Sequence, residues 1–172
     1  KPISTRPRSK IRNIAMVQLS PDASHTLVIA LGDQAGIGIE VVLKALAQSN
    51  DLPTDLKPVL VGCRRCVELT HQHLQAKGCT ALADPAALTI HDQPLARPIA
   101  PGEASRSSGE AGFQWLTSAV DYLQSTGARA LVTAPIAKHL WHEAGHDYPG
   151  QTERLAELAG NKASSMLFTA LS

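Results

Sequence analysis

The sequence has 172 residues, 44% of them hydrophobic, 18% charged and 3% aromatic, a composition suited to one folded soluble domain with an aliphatic core. So few rings argue against nucleic-acid binding by base stacking, and no apolar run approaches the ~18 residues of a membrane span. The net charge of +1 is uneven: residues 1–12 hold five basic groups and no acid, leaving 11 basic and 15 acidic groups on the other 160. Residues 1–24 are therefore expected to form a disordered basic leader, either a solvated arm or an organelle-targeting segment, ahead of an ordered portion over 25–172. Three cysteines, an odd number, make no disulfide framework and point to a reducing, cytoplasmic setting.

Along the chain, residues 26–31 (TLVIAL) form an apolar, β-branched run that predicts a buried strand. A glycine-rich turn follows over 32–38, and helical spacing over 39–48 places Val42 and Leu46 on one side. Residues 58–62 (PVLVG) predict a second strand, and 64–77 a helix ended by Gly78. Residues 79–108 carry four prolines and read as irregular, with a short strand at 88–91. Phe113, Leu116, Val120 and Leu123 recur at spacings of three and four, so 109–127 predicts a helix with Gly127 at its C′ position. A strand at 130–133, a short helix at 138–144, a helix at 152–158 and a strand at 165–170 complete the reading. Strand–helix alternation of this kind predicts a three-layer α/β fold with a largely parallel sheet. A buried strand normally leads into a crossover helix, so the natural protein is expected to continue past this incomplete unit.

Five motifs could carry chemistry. The turn Gly32-Asp33-Gln34-Ala35-Gly36-Ile37-Gly38 is spaced G-x3-G-x-G, neither a dinucleotide fingerprint nor a Walker A loop. It is either an ordinary strand–helix turn or a loop whose backbone approaches a ligand. Cys63-Arg64-Arg65-Cys66 opens a helix, where two arginines and the helix terminus would lower a thiol pKa. Incidental cysteines, a redox pair and a metal site with Cys79, His71 or His73 are its three readings. His142-Glu143-Ala144-Gly145-His146 satisfies H-E-x-x-H, but Gly145 reads as a helix terminator that would separate the two histidines. Thr133 to Lys138 runs from a strand's carboxyl end into a helix, which places Lys138 either at a phosphate or carboxylate or simply in solvent. Tyr148-Pro149-Gly150-Gln151-Thr152-Glu153 presents an amide, a hydroxyl and free N–H groups at a helix start, unless Thr152 merely caps that helix.

Together, LVIALGDQAGIGIEVVLKAL and ALVTAPIAKHLWHEAGHDYPGQTERLAELA resemble the T-P-G-D/E-P-A-G-I-G-P-E and A-L-V-T-G-P-I-x-K…A-G…G-H-T-E-x-L-A stretches of the 4-hydroxythreonine-4-phosphate dehydrogenase family, over roughly residues 26–170. The resemblance implies the amino-terminal half of a two-domain fold like that of isocitrate and isopropylmalate dehydrogenases. It implies a homodimer, with active sites near the subunit interface. The implied activity is NAD(P)-dependent oxidation of 4-phosphooxy-L-threonine, with loss of CO₂ to give 3-amino-2-oxopropyl phosphate in vitamin B6 synthesis. A divalent metal (Zn, Mg or Co) would assist as a Lewis acid. The family's metal-binding histidines lie beyond this chain, so no metal ligand and no stand-alone activity are expected in it.

The His and Thr of G-H-T-E contact substrate in the family, which carries over to Gln151 and Thr152, with Lys138 a further candidate. Gln151 stands where the family has His, Gln34 and Ile39 where it has Pro, and Ala134 where it has Gly. An amide can bind but cannot carry a proton charge, so a related phosphorylated hydroxy acid (threonate or erythronate phosphate) is the alternative substrate. Two other readings are a zinc peptidase using His142, Glu143 and His146, and a non-catalytic α/β binding module. The family reading expects the junctions at 32–40 and 133–153 to open onto one phosphate-holding cleft.

Overall fold

The structure is a computed structural model that describes residues 25–48, 53, 55–161 and 163–168; the expected leader over 1–24 lies outside them. The elements are β1 (Thr26–Ala30), α1 (Gly38–Ala47), β2 (Lys57–Gly62), α2 (Arg64–Ala76), a 3₁₀ turn (Pro85–Ala87), β3 (Thr89–Asp92), α3 (Arg106–Thr126), β4 (Ala130–Thr133), α4 (Lys138–Ala144) and α5 (Gln151–Leu158). The four strands form one sheet in the order β3-β2-β1-β4, and every neighbouring pair is parallel.

That order fixes the layers. The chain steps from β1 to β2 to β3 in one direction, then returns across the sheet to place β4 beside β1. Right-handed crossovers on a reversing path put the helices of the two legs on opposite faces. Alternation along β1 serves both faces: Ile29 and Leu31 pack with Ile39, Leu43 and Val67, whereas Val28 and Ala30 pack with Phe113, Leu116 and Trp141. The predicted three-layer, parallel α/β fold is present.

The core is less aliphatic than composition suggested. Trp115 and Trp141 are each 1% exposed and are the two largest fully buried side chains. A few large rings bury much area, so a low aromatic count does not keep them out of the interior. Trp115 packs in the cluster with Ile29 and Leu31, and Trp141 in the one with Val28 and Ala30; α3 and α4 meet tightly at Gly109. A Cβ there would lie 2.1 Å from the Leu140 carbonyl oxygen.

Several boundaries differ from the sequence reading. Helix α3 begins three residues early because Ser105 caps it: the Ser108 N–H donates to Ser105 Oγ (3.3 Å), and the Ser105 N–H donates to Ser108 Oγ (3.0 Å). Helix α2 starts under Asp92, whose Oδ1 accepts from the Arg64 N–H at 2.8 Å. The strand expected at 165–170 is corrected over residues 165–168; residues 169 and 170 lie outside the described residues. Residues 163–168 have no regular structure, and Met166, Leu167 and Phe168 are 69%, 88% and 84% exposed. A strand needs a neighbour for its backbone groups, and no described strand pairs with this segment.

Gly→Ala in an exposed helix stabilises by ~0.5–1 kcal/mol. At Gly109 the sign should reverse, because the methyl group meets backbone rather than a flexible side chain. Gly109→Ala is expected to cost about 2 kcal/mol or more, read as a lower urea midpoint at unchanged slope.

Candidate functional site

In a parallel sheet whose strand order reverses, ligands bind outside the carboxyl ends of the strands at the reversal. Here the reversal falls between β1 and β4. The two junctions leaving those strands touch. The Asp33 N–H donates to the Pro135 carbonyl oxygen at 2.9 Å. Gly32 adopts φ 66°, and a Cβ on it would fall 2.3 Å from the same oxygen. Only glycine meets both demands. The Ala35 N–H donates to Asp33 Oδ1 at 3.0 Å and so tightens the turn.

The second junction continues into α4, which ends at Gly145 with φ 99°, and the chain then doubles back to α5. Gly150 is the residue preceding α5, and no side chain caps that helix. Thr152 is thus not a cap: its hydroxyl has one recorded contact, to Met166 Sδ at 3.9 Å. Gln151 Nε2 donates to the Ala134 carbonyl oxygen at 3.3 Å, which ties α5 to the β4 junction. Gln151 Oε1 is buried without a partner. A Cβ on Gly150 would lie 3.6 Å from Lys138 Nζ, so the exposed ammonium sits over the start of α5. A cleft of about 330 Å³ is lined by Lys138, Gly150, Gln151, Thr152, Glu153 and Met166 among others. The structure therefore brings Lys138, Gln151 and Thr152 together.

The glycine-rich turn does not share this cleft. Ala35, Gly36 and Ile37 line a separate hollow of about 470 Å³ with Glu40, Thr70 and Lys77. The two junctions meet through backbone at Gly32, and the hollows beside them are lined by different residues.

Two motifs are resolved by geometry. In H-E-x-x-H, the helix stops between the histidines. His142 Nδ1 lies 3.3 Å from Asp147 Oδ1. His146 Nε2 lies 2.7 Å from Glu110 Oε2, and its ring stacks on Phe113 at 3.5 Å. The pair does not converge, and the described residues contain no cluster of three metal-ligating side chains. The zinc-peptidase reading is therefore corrected. Glu110 is held below its ordinary pKa by the Gln114 side-chain amide first and by His146 next.

In Cys63-Arg64-Arg65-Cys66, both cysteines are buried, at 2% and 0% exposed. Burial pushes the Cys66 thiol up to about 12, against a smaller opposing backbone hydrogen bond at Ile99. An activated thiol requires the opposite shift, so the burial of Cys66 argues against the redox reading.

Sequence reasoning missed the residues that seat α5. Arg154 Nη2 donates to Thr117 Oγ1 on α3 at 3.1 Å, and its guanidinium lies 4.7 Å from the Phe113 ring centre. Glu157 accepts from Arg154 at 2.9 Å and from the Tyr148 hydroxyl. These contacts hold Glu157 below its ordinary pKa, Tyr148 contributing most. Arg154 and Thr117 are 37 positions apart, beyond any local periodicity.

A parallel α/β sheet with a cleft beside its reversal point is the arrangement in which open α/β proteins hold small-molecule ligands. Residues 41–172 match the family model described as pyridoxal phosphate biosynthetic protein PdxA, and the chain belongs to that family. It is 54% identical over 146 residues to a 4-hydroxythreonine-4-phosphate dehydrogenase of Synechococcus sp. (strain RCC307), covering 85% of this chain and 43% of the relative. A D-threonate 4-phosphate dehydrogenase of Salmonella typhimurium is 33% identical over 161 residues, covering 84% and 47%. Among solved structures, a 4-hydroxythreonine-4-phosphate dehydrogenase from Burkholderia phymatum superposes with a TM-score of 0.68 at 30% identity, covering 80% of this chain and 44% of that one. The chain thus spans less than half the length of the relatives it matches.

The thiols offer a direct check on the burial argument. With Ellman's reagent at pH 8, the partly exposed Cys79 is expected to react promptly, and Cys63 and Cys66 only after denaturation. Rapid reaction of all three in the folded protein would contradict it.

Proposed function

We propose that these residues supply one substrate-binding wall of an NAD(P)-dependent 4-hydroxythreonine-4-phosphate dehydrogenase. The complete enzyme would oxidise 4-phosphooxy-L-threonine, whose product loses CO₂ to give 3-amino-2-oxopropyl phosphate. The observation that carries this reading is the convergence of Lys138, Gln151 and Thr152 on one cleft beside the uncapped start of α5.

Each group has a definable task. The Lys138 ammonium suits a phosphate or carboxylate as a point charge. The unpaired N–H groups of the first turn of α5 favour anionic oxygens, and the Thr152 hydroxyl can donate to one of them. Gln151 replaces the histidine of the family motif. Its Nε2 is committed to Ala134, so it binds and orients but moves no proton. Its buried, unpartnered Oε1 costs about 1–3 kcal/mol, relieved when a donor reaches it.

The hydride acceptor in this reading is NAD or NADP. A divalent metal (Zn, Mg or Co) would take its ligands from outside these residues, as the family resemblance implies. A homodimer in the cytoplasm completes the reading. No described helix is long and apolar enough to cross a membrane.

D-Threonate 4-phosphate is the competing substrate, favoured by the amide at position 151 and the similarity to the Salmonella protein. It carries a hydroxyl where phosphooxy-threonine carries an ammonium, and parallel assays with both substrates separate the two.

In the full-length enzyme, Thr152→Ala is expected to raise the substrate KM about tenfold, near 1.4 kcal/mol, while His142→Ala leaves it unchanged. Equal, negligible effects would remove this assignment. The 172-residue chain alone is expected to give no turnover of 4-phosphooxy-L-threonine with NAD, followed as NADH absorbance.

A further inference from the structure

Helix α5 has eight residues and none of them is buried. A helix this short is marginal on its own, since isolated helices need roughly 12–15 residues. Its placement therefore depends on a few side chains reaching the body of the protein. Gln151 ties the first turn to Ala134, and Gln124 Nε2 donates to the Leu158 carbonyl oxygen at the far end, at 3.3 Å. Leu155 adds apolar packing against the Phe113, Leu116 and Trp141 cluster, but apolar contact is non-directional, so these contacts leave the roll of the helix about its axis weakly determined.

Arg154 is the contact that fixes the roll. Its side chain is 14% exposed. One arm of the guanidinium donates to Thr117 Oγ1 at 3.1 Å, and the other donates to the Tyr148 hydroxyl at 3.3 Å and Glu157 Oε2 at 2.9 Å. The Thr117 hydroxyl is itself anchored by donating to the Phe113 carbonyl oxygen at 3.1 Å. The flat face of the guanidinium lies on the Phe113 ring, the ring that also stacks with His146. A planar, multidentate group held on a ring resists rotation in a way that a point charge does not.

At about 100° per residue, positions two apart on a helix face nearly opposite directions. Turning Arg154 inward therefore turns Thr152 outward, into the cleft. We infer that Arg154 is a positioning residue for the substrate: by locking the roll of α5 against α3, it aims Thr152 and the first-turn N–H groups at the bound anion. The inference rests on the reading of Thr152 as a substrate contact. Arg154 occupies the position that the G-H-T-E-x-L-A pattern leaves open.

The test is a double-mutant cycle in the full-length enzyme with 4-phosphooxy-L-threonine. Arg154→Ala is expected to raise the substrate KM about tenfold with the dinucleotide KM unchanged, and adding it to Thr152→Ala should give little further loss, because both act through one hydroxyl. Arg154→Lys should behave like the alanine variant, since an ammonium cannot bridge Thr117, Tyr148 and Glu157 together. Thr117→Val keeps the shape, removes the anchor on α3, and should raise the same KM about threefold; it decides the matter if Arg154→Ala fails to fold.

An Arg154→Ala KM within about twofold of wild type, full rescue by lysine, or effects that multiply in the double variant would overturn the inference while leaving the cleft reading intact. A silent Thr152→Ala would overturn the cleft reading and this inference with it.

Discussion

The molecule is organised around a backbone contact at which no side chain can be accommodated. Gly32 lies against the carbonyl oxygens of Ala134 and Pro135, and the Asp33 N–H closes the gap to Pro135. This contact joins the chain leaving β1 to the chain leaving β4, the two strands that diverge at the reversal of the sheet. Once it forms, the start of α1, the start of α4 and the return to α5 all have defined positions. A larger residue at 32 would force the turns apart and disturb the Ala134 carbonyl that holds Gln151.

The cleft is built outward from that contact in successively softer layers. Strands β1 and β4 are central and parallel, α4 is seated on α3 through a glycine notch, and α5 is attached mainly by polar and ring contacts. Stability within a structure is not uniform, and the residues proposed to meet substrate stand on the least buried element. Such placement allows the binding wall to adjust without cost to the core.

Much of the architecture was legible in the sequence because its signals are local. The runs at 130–133 and 138–144 coincide with β4 and α4, and apolar spacing located α1, α2 and α3 to within a turn. Glycines at 127 and 145 marked helix ends by the left-handed geometry they adopt. Lys138, Gln151 and Thr152 were found through motif resemblance, and the fold gathers them in one cleft. What escaped was non-local. The apolar run near 165–168 has a strand's composition but no strand beside it. Two tryptophans entered the core on opposite faces of the sheet, which no count of aromatics reveals. The contact between Gly32 and the β4 junction joins positions a hundred apart in sequence, and the Arg154 anchor draws on side chains from three segments.

The strand order has a consequence for how the chain matures during synthesis. β1 is the first of the described strands to be made, and it lies inside the sheet, yet its partner on one side, β4, pairs Leu27 with Ala130. Until roughly a hundred further residues have emerged from the ribosome, one rim of β1 has its N–H and C=O groups unclaimed. Long-range parallel pairing is slow because the intervening loop must close first, and an open strand rim is adhesive in the meantime. The nascent polypeptide thus passes through an interval in which the apolar run of β1 needs shielding until β4 arrives to cover it.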